Sequence, residues 1–332
     1  MRKIPKRPRD ADFHPVPEPD LQTETDRLLI LHLRPARRKA LPCAAAEALS
    51  LLGDLRAAQA RGGPLSERGG VFWMTVPEGR LDEAIERLPR LGFTMAVDQL
   101  APWSGARGKG SPDPVRWRGT DYALRRCYEE DSATAREAAP DRRLFALEES
   151  GGEIRLIRGY RGDSGPLSRR GLAVCDARLL VNLSGARAGL TLLDPFAGIG
   201  GIVLEAVASG CRALSVDIDP RLRPGLERLG AVHLVADARS IPYPSGTVDA
   251  IATEPPFDET AADAVMAALS EMARLLKVSG NLAMLAAEAQ AGLLRDTARS
   301  LTLEPWLDTP LNRKGMNCRV FAWRRQPSRA GP

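Results

Sequence analysis

The sequence is poor in the residues that build disulfide frameworks and metal centres. Its 332 residues include five cysteines and three histidines, and no two cysteines form a C-x-x-C pair. This usage is typical of a chain in a reducing cytosol, so we expect a cytoplasmic protein without a metal. Long apolar runs are also missing. No stretch approaches the ~20 residues that span a bilayer, and the first 20 residues lack the apolar centre of a secretory signal, so we expect no membrane partner.

The charge balance of the chain does not decide its partner. The formal net charge is +5, with 47 Lys and Arg residues against 42 Asp and Glu residues. A mildly basic protein is compatible with an anionic polymer such as nucleic acid. An Arg-rich and Ala-rich composition also arises from genome bias, so charge alone leaves both interpretations open.

Changes of pattern along the chain predict five parts. Residues 1–24 are basic and Pro-rich and predict a disordered arm. Over 25–100, strands and helices alternate in a β-α-β-α-β order that is typical of a small ferredoxin-like α+β domain. Residues 101–157 predict a basic linker followed by a hairpin, which together are a candidate RNA-contact region. We expect the catalytic domain over 158–326 and a tail over 327–332.

The catalytic part alternates short apolar strands with helices. Strands are predicted over 190–196, 212–218, 232–237, 248–254 and 281–287, with helices between most of them. Alternation at this spacing predicts an α/β fold with a doubly wound, mostly parallel sheet. Two last strands, joined by a basic turn, predict an antiparallel hairpin at the edge. The expected architecture is therefore a Rossmann-like sheet of seven strands, preceded by the small α+β domain.

A glycine turn and three acids lie where the first strands of this sheet end. The first strand ends at Asp194, and Gly198 and Gly200 then allow the backbone to approach a ligand closely. Asp217 ends the second strand, where a carboxylate can accept hydrogen bonds from a ribose diol. Asp237 ends the third strand, where it can reach an adenine edge. Because such strand ends line one crevice, they predict an adenosine-containing ligand.

The fourth strand ends in the unusual loop "TEPPF". Pro255 and Pro256 lack an N–H group and fix φ near roughly −65°, so we expect the loop carbonyls to be free acceptors. With the Glu254 carboxylate, they could accept hydrogen bonds from an exocyclic amine. Phe257 offers a ring on which a flipped base can stack, worth roughly 1–3 kcal/mol. We predict these four residues as the catalytic loop.

Several motifs resemble those of S-adenosylmethionine-dependent methyltransferases. "FAGIG" (196–200) matches their F-x-G-x-G motif, and "TEPPF" is similar to the [D/N/S]-P-P-[Y/F] motif of enzymes that methylate exocyclic amines. "DPFAGIGG…LEA" resembles the form found in RNA guanine-N2 methyltransferases. "RGYR" (158–161), "GPL" (165–167) and "NLSG" (182–185) resemble the segment that leads into their catalytic domain. The family that the chain resembles most is the tRNA (guanine(10)-N2) methyltransferases.

The resemblance implies a cofactor, a substrate and a set of site residues. The cofactor would be S-adenosylmethionine, and the methyl group would go to the N2 amine of guanosine in structured RNA, with tRNA as the first choice. No metal is implied, because the positive charge on the sulfonium already activates the methyl group for displacement. The expected cofactor residues are Asp194, Pro195, Phe196, Gly198, Gly200, Asp217, Ile218, Asp237 and Ala238. The resemblance also points to Arg158, Tyr160 and Arg161 of "RGYR" as RNA contacts. The basic turn between the last two strands independently offers Arg313 and Lys314 as candidate phosphate contacts.

Glu254 departs from the family pattern, which usually has Asp, Asn or Ser at this place. Glutamate retains the acceptor but adds one methylene, ~1.5 Å of reach. Misplacement of about 1 Å can cost roughly a hundredfold in rate. Two alternatives therefore stay open. One is a methyltransferase with another acceptor, such as adenine N6 in DNA or a protein Gln amide. The other is a cofactor-binding or RNA-binding paralogue without activity.

Overall fold

The structure, a computed structural model, divides into two compact units, Met1–Asp131 and Ser132–Pro332. No helix in the described part of the chain is long and apolar enough to cross a membrane. The predicted N-terminal arm and the last five residues lie outside the described residues. The structure describes residues 26–37, 39–59, 70–103, 115–117, 120–129, 145–150, 153–158, 172–313 and 315–327.

The described residues of the first unit form one antiparallel sheet and two α-helices. Its sheet order is β2-β3-β1-β4-β6-β5, and neighbouring strands run antiparallel throughout. Leu29, Ile30, Phe72 and Phe93 are almost fully buried in this unit. The elements are β1 (Asp26–Leu33), α1 (Leu41–Leu52), β2 (Ala58–Gln59), β3 (Val71–Pro77), α2 (Leu81–Arg87), β4 (Thr94–Pro102), β5 (Val115–Trp117) and β6 (Thr120–Glu129).

Within the region predicted as a β-α-β-α-β domain, the structure contains one strand more than the sequence predicts. This strand, β2, has two residues, which is too short to produce a period-2 apolar pattern. It pairs with β3, which lies beside β1, while β4 lies on the other side of β1. The β1-α1-β2 and β3-α2-β4 units therefore interleave within one sheet. The ferredoxin-like assignment of this domain stays a prediction.

Part of the stretch interpreted as a linker forms regular structure. Residues Thr120–Glu129 form β6, which pairs with β4 from Ala96↔Glu129 to Pro102↔Tyr122. Residues 121–129 are all half-buried or exposed, so this strand has no buried apolar stripe by which sequence patterning could identify it. The predicted hairpin that follows is confirmed as β7 (Phe145–Ser150) and β8 (Glu153–Arg158), which pair antiparallel.

The second unit holds the predicted seven-stranded sheet. Its order is β11-β10-β9-β12-β13-β15-β14. The first five strands run parallel, and the last two add an antiparallel hairpin, which confirms the predicted α/β fold class. The elements are α3 (Val174–Leu183), β9 (Thr191–Asp194), α4 (Gly201–Ala208), β10 (Arg212–Asp217), α5 (Arg223–Arg228), β11 (Val232–Val235), β12 (Val248–Thr253), α6 (Ala262–Leu275), β13 (Leu276–Ala287), α7 (Ala291–Ser300), β14 (Leu303–Arg313) and β15 (Met316–Arg325).

The central strands of this sheet are nearly continuous apolar runs because helices cover both faces. Ile251 in β12 and Met284 in β13 are fully buried, as is Leu269, which packs from α6 into the same core cluster. Phe321 and Trp323 of β15 stack with their ring centroids 4.8 Å apart. A core of this kind holds the strand ends rigidly, and the functional residues lie at those ends.

Candidate active site

The carboxyl ends of β9, β10 and β12 meet at one edge of the sheet. β9 lies between the other two strands, with Leu193 opposite Leu214 of β10 and opposite Ile251 of β12. The chain proceeds from β9 to β10 and β11 in one direction, and from β12 to β13 in the other. Ligands of open α/β sheets bind at such a switch point. The structure therefore brings the predicted cofactor turn and the predicted catalytic loop to the same place.

Asp194 connects the first and fourth strands at this edge. Its side chain is buried, with 1% of the residue exposed. Oδ1 accepts hydrogen bonds from the Thr253 hydroxyl at 2.9 Å and from the Phe196 N–H at 3.3 Å. Burial raises the pKa of Asp194 to about 7, against the lowering effect of these two donors. The residue therefore changes charge near neutral pH.

The turn between β9 and α4 depends on two glycines with left-handed backbone. Gly198 has φ 49° and Gly200 has φ 86°, a region that side-chain-bearing residues rarely adopt. A Cβ on Gly200 would lie 2.6 Å from Cδ1 of Leu229, whereas a Cβ on Gly198 would meet no atom within 4 Å. The leucine side chain could shift, so the left-handed backbone is the main reason that this position favours glycine. The open space beside Gly198 leaves room for a ligand.

Asp217 holds the glycine turn from the adjacent strand. Its Oδ2 accepts a hydrogen bond from the Gly198 N–H at 2.8 Å, and its Oδ1 accepts one from the Asp219 N–H at 3.0 Å. Each carboxylate oxygen can accept a second hydrogen bond, so the residue retains capacity for a diol. The next residue, Ile218, is 71% exposed, which leaves an apolar surface beside the carboxylate for a flat ring to cover.

Asp237 makes contacts that the sequence does not predict. Its carboxylate accepts from Nε and Nη2 of Arg239 at 2.6–3.0 Å, and this guanidinium lowers the pKa of Asp237. Ala238 is buried in the core of the unit. The pair is exposed, so its energetic contribution is small. Contact of these two residues with an adenine stays a prediction.

Glu254 follows β12 directly and pairs with Arg313 from the last hairpin. Its Oε1 accepts a hydrogen bond from Nη1 of Arg313, and Nε of the same guanidinium lies 3.4 Å from Oδ2 of Asp176 on α3. Burial raises the pKa of Glu254 above its usual value and Asp176 adds to the rise, while Arg313 lowers the pKa without cancelling the effect of burial. β14 runs to Arg313 itself, so this residue belongs to a strand although the sequence predicts a turn. Its side chain is 13% exposed, and a phosphate contact would require it to leave its carboxylate partners.

Gln290 anchors the proline loop and was not identified from the sequence. Its Nε2 donates to the carbonyl oxygen of Pro256 at 3.0 Å and to that of Asp258 at 3.3 Å. The expectation that the loop carbonyls are free is therefore wrong for Pro256. Gln290 is 2% exposed and lies in a 3-10 turn between β13 and α7. No motif or periodicity surrounds it, so the sequence carries no signal for this contact.

The remaining loop residues differ in exposure. Pro255 is buried, Pro256 is exposed and Phe257 is half-buried, so the ring is partly accessible. Among the predicted RNA contacts, Arg158 ends β8, while Tyr160, Arg161 and Lys314 lie outside the described residues. Their contacts with RNA stay predictions. Within the described residues, no group of three or more His, Cys, Asp or Glu side chains could hold a metal ion.

Two family models of methyltransferase domains match parts of the second unit. The family model described as a methyltransferase domain matches residues 193–284, which include the glycine turn and the proline loop. The model described as an RMKL-like methyltransferase domain matches residues 158–218. The two matches overlap at the cofactor turn predicted from "FAGIG".

The chain is similar over part of its length to two tRNA (guanine(10)-N2)-dimethyltransferases. The tRNA (guanine(10)-N2)-dimethyltransferase of Methanothermobacter thermautotrophicus is 42% identical over 95 residues, 26% of this chain and 28% of that protein. The enzyme of the same name from Pyrococcus abyssi is 37% identical over 119 residues, 31% of this chain and 36% of that protein. These matches confirm the resemblance stated from the motifs. The matched region spans less than two fifths of either relative.

Among solved structures, the chain is similar to TrmN from Thermus thermophilus. The TM-score is 0.47 at 19% identity, and the superposition covers 90% of this chain and 99% of that chain.

Proposed function

We propose that the protein is an S-adenosylmethionine-dependent methyltransferase that acts on the N2 amine of guanosine in structured RNA, with tRNA as its substrate. The observation that carries this proposal is the hydrogen bond between Thr253 and Asp194 at 2.9 Å. It connects the strand that leads into the proline loop to the strand that leads into the glycine turn. A methyl donor and an acceptor amine bound at these two elements would lie side by side, as direct transfer requires.

The residues at the edge between β9 and β10 would hold the cofactor. Gly198, beside which the space is open, would allow its close approach to the backbone. Asp217, which has acceptor capacity left beyond its two backbone hydrogen bonds, would accept from its ribose hydroxyls. The exposed side chain of Ile218 would offer an apolar surface to its adenine. The sulfonium supplies a methyl group that is already activated for displacement, so the residues of this chain have only to bind and orient it.

The proline loop orients the acceptor. The lone pair of guanine N2 is delocalised into the ring, and hydrogen bonds accepted from its N–H groups favour a nucleophilic nitrogen. Glu254 supplies a carboxylate acceptor. The carbonyl of Pro255 is the second candidate acceptor, since Gln290 donates to the carbonyls of Pro256 and Asp258. In such an arrangement the methyl group would pass to N2 as the sulfur takes the electron pair of the C–S bond, and the Glu254 carboxylate would accept the proton released from N2. The half-buried ring of Phe257 stacks on the base, worth roughly 1–3 kcal/mol.

A methyl-transfer assay with three acceptor classes tests this proposal. The full chain is incubated with methyl-labelled S-adenosylmethionine and, separately, total tRNA, genomic DNA or a protein extract. We expect label in tRNA, and N2-methylguanosine as the labelled nucleoside after digestion. Label in DNA or protein instead would show that the methyl acceptor belongs to that class and would contradict tRNA as the substrate.

Calorimetry on the same preparation separates an inactive paralogue from a protein of another class. Cofactor binding without transfer to any of the three acceptors would favour a non-catalytic binding module. A protein that binds neither S-adenosylmethionine nor S-adenosylhomocysteine would contradict the proposed cofactor and with it the whole assignment.

A further inference from the structure

Three charged side chains from three elements meet behind the proline loop. Glu254 follows β12, Arg313 ends β14 and Asp176 lies in the first turn of α3. The guanidinium contacts both carboxylates. The side chains of Asp176 and Arg313 are 1% and 13% exposed, and that of Glu254 is 23% exposed. Water therefore screens this group weakly, and the Arg313 guanidinium interacts with both negative charges.

The charge of Glu254 decides what its oxygens can do. An ionised carboxylate is an acceptor only, whereas a protonated one has an O–H group that donates. An exocyclic amine presents N–H donors, and the ionised form accepts from them more strongly and with either of its oxygens. Without a cation, a carboxylate that is largely removed from water and close to a second carboxylate would take up a proton. The Arg313 guanidinium opposes that outcome.

We infer that Arg313 is a positioning residue, which favours the ionised form of Glu254 and fixes the direction of its carboxylate at the acceptor site. This inference rests on the proposed function, since it assigns Glu254 to the acceptor amine. It also explains the longer side chain at this place: the extra methylene lets the carboxylate reach the guanidinium of the edge hairpin. An Arg in the last hairpin and a Glu in the proline loop thus act as one unit.

The charged groups that face Glu254 set the expected direction of each variant. Arg313 of β14 lowers the pKa of Glu254, and Asp176 of α3 raises it. Asp194 at the end of β9 interacts electrostatically with Glu254 and with Asp217 of β10. Arg313→Gln should therefore raise the pKa of Glu254, and Asp176→Asn should lower it. A general loss of packing would not move the two variants in opposite directions.

Carbon NMR of the glutamate carboxyls tests the pairing without any activity. Titration of the full chain, with the Glu254 signal identified by its loss in Glu254→Gln, yields the pKa in each variant. We expect Arg313→Gln to raise it by about one unit or more, Arg313→Lys to raise it less, and Asp176→Asn to lower it. An unchanged value in Arg313→Gln would overturn the inference.

The pH profile of kcat tests the consequence for turnover. In Arg313→Gln the acidic limb should move to higher pH, activity should recover at alkaline pH, and the KM for tRNA should change little. A raised KM with an unmoved acidic limb would instead assign Arg313 to a phosphate contact and overturn the inference. If the native chain methylates no RNA, the proposed function fails, while the carboxyl titration still decides whether Arg313 controls Glu254.

Discussion

Asp194 lies in the candidate site, but its buried carboxyl costs folding stability when it is ionised. It lies at the centre of the switch point, and burial raises its pKa to about 7, well above the ordinary value of about 3.9. The folded state therefore prefers the neutral acid. Its contribution to stability is fully present below the unfolded-state pKa and is lost as the pH rises toward 7. A cation near the ionised Asp194 carboxylate would offset this loss of stability. The sulfonium of the proposed cofactor carries such a positive charge.

The variant Asp194→Asn tests this statement. Asparagine retains an oxygen that can accept from Thr253 and Phe196 but carries no charge to bury. We expect its free energy of unfolding, relative to the native chain, to rise by on the order of 1–2 kcal/mol between pH 5.5 and pH 8. Urea unfolding at the two pH values measures it. A relative stability independent of pH would show that Asp194 has an ordinary pKa.

Glu254 is predictable from the sequence as a site residue, but its partners are not. Its place after an apolar strand and before two prolines identifies it from sequence alone as the catalytic candidate. Its partners do not follow from the sequence, because Arg313 is 59 residues away and Asp176 is 78 residues away along the chain. Arg313 was predicted as an exposed RNA contact from local composition alone. Ion pairs between distant elements depend on the assembled fold, which local patterns do not encode.

At the scale of elements, apolar strands flanked by helices were predictable and weakly patterned strands were not. The parallel strands β9, β10 and β12 are buried on both faces, so each is a short apolar run with a clear end. β2 is too short for a pattern, and β6 has no buried face. The edge strand β14 extends to Arg313, because pairing with β15 continues through residues that composition assigns to a turn.

The anchoring of the proline loop by the turn after β13 is an element-scale contact with a testable effect. Gln290→Leu preserves the size of the side chain but removes the donor to the carbonyls of Pro256 and Asp258. Each lost hydrogen bond to a neutral group is worth about 1 kcal/mol. We expect kcat for tRNA methylation to fall roughly tenfold or more, because loss of orientation acts on the transition state. The affinity for S-adenosylmethionine should be nearly unchanged.

Gln290→Glu serves as the companion variant. It has nearly the same shape; its neutral acid, which burial favours, can still donate to the loop carbonyls, whereas its ionised form can only accept. Gln290→Leu should thus lose turnover at every pH and Gln290→Glu mainly at alkaline pH, while calorimetry still detects cofactor binding. A normal kcat in both would mean that the prolines alone hold the loop.

At the scale of the whole molecule, the chain combines a cofactor-binding domain with a separate antiparallel unit. The second unit contains the switch point and all of the catalytic and cofactor residues predicted from the sequence. The net charge of +5 is compatible with an RNA substrate. Strong salt dependence of binding is expected for a protein that contacts several phosphates.

The measurement that tests the account most directly is nucleoside mass spectrometry of an unmodified tRNA transcript. The transcript is incubated with S-adenosylmethionine and the full chain, with Glu254→Gln in parallel. The account predicts N2-methylguanosine with the native chain and a rate lower by roughly a hundredfold with the variant, which has the same size but no charge. Methylation of any other nucleoside, or equal N2-methylguanosine formation by both proteins, would contradict the assignment of Glu254 to the guanine amine.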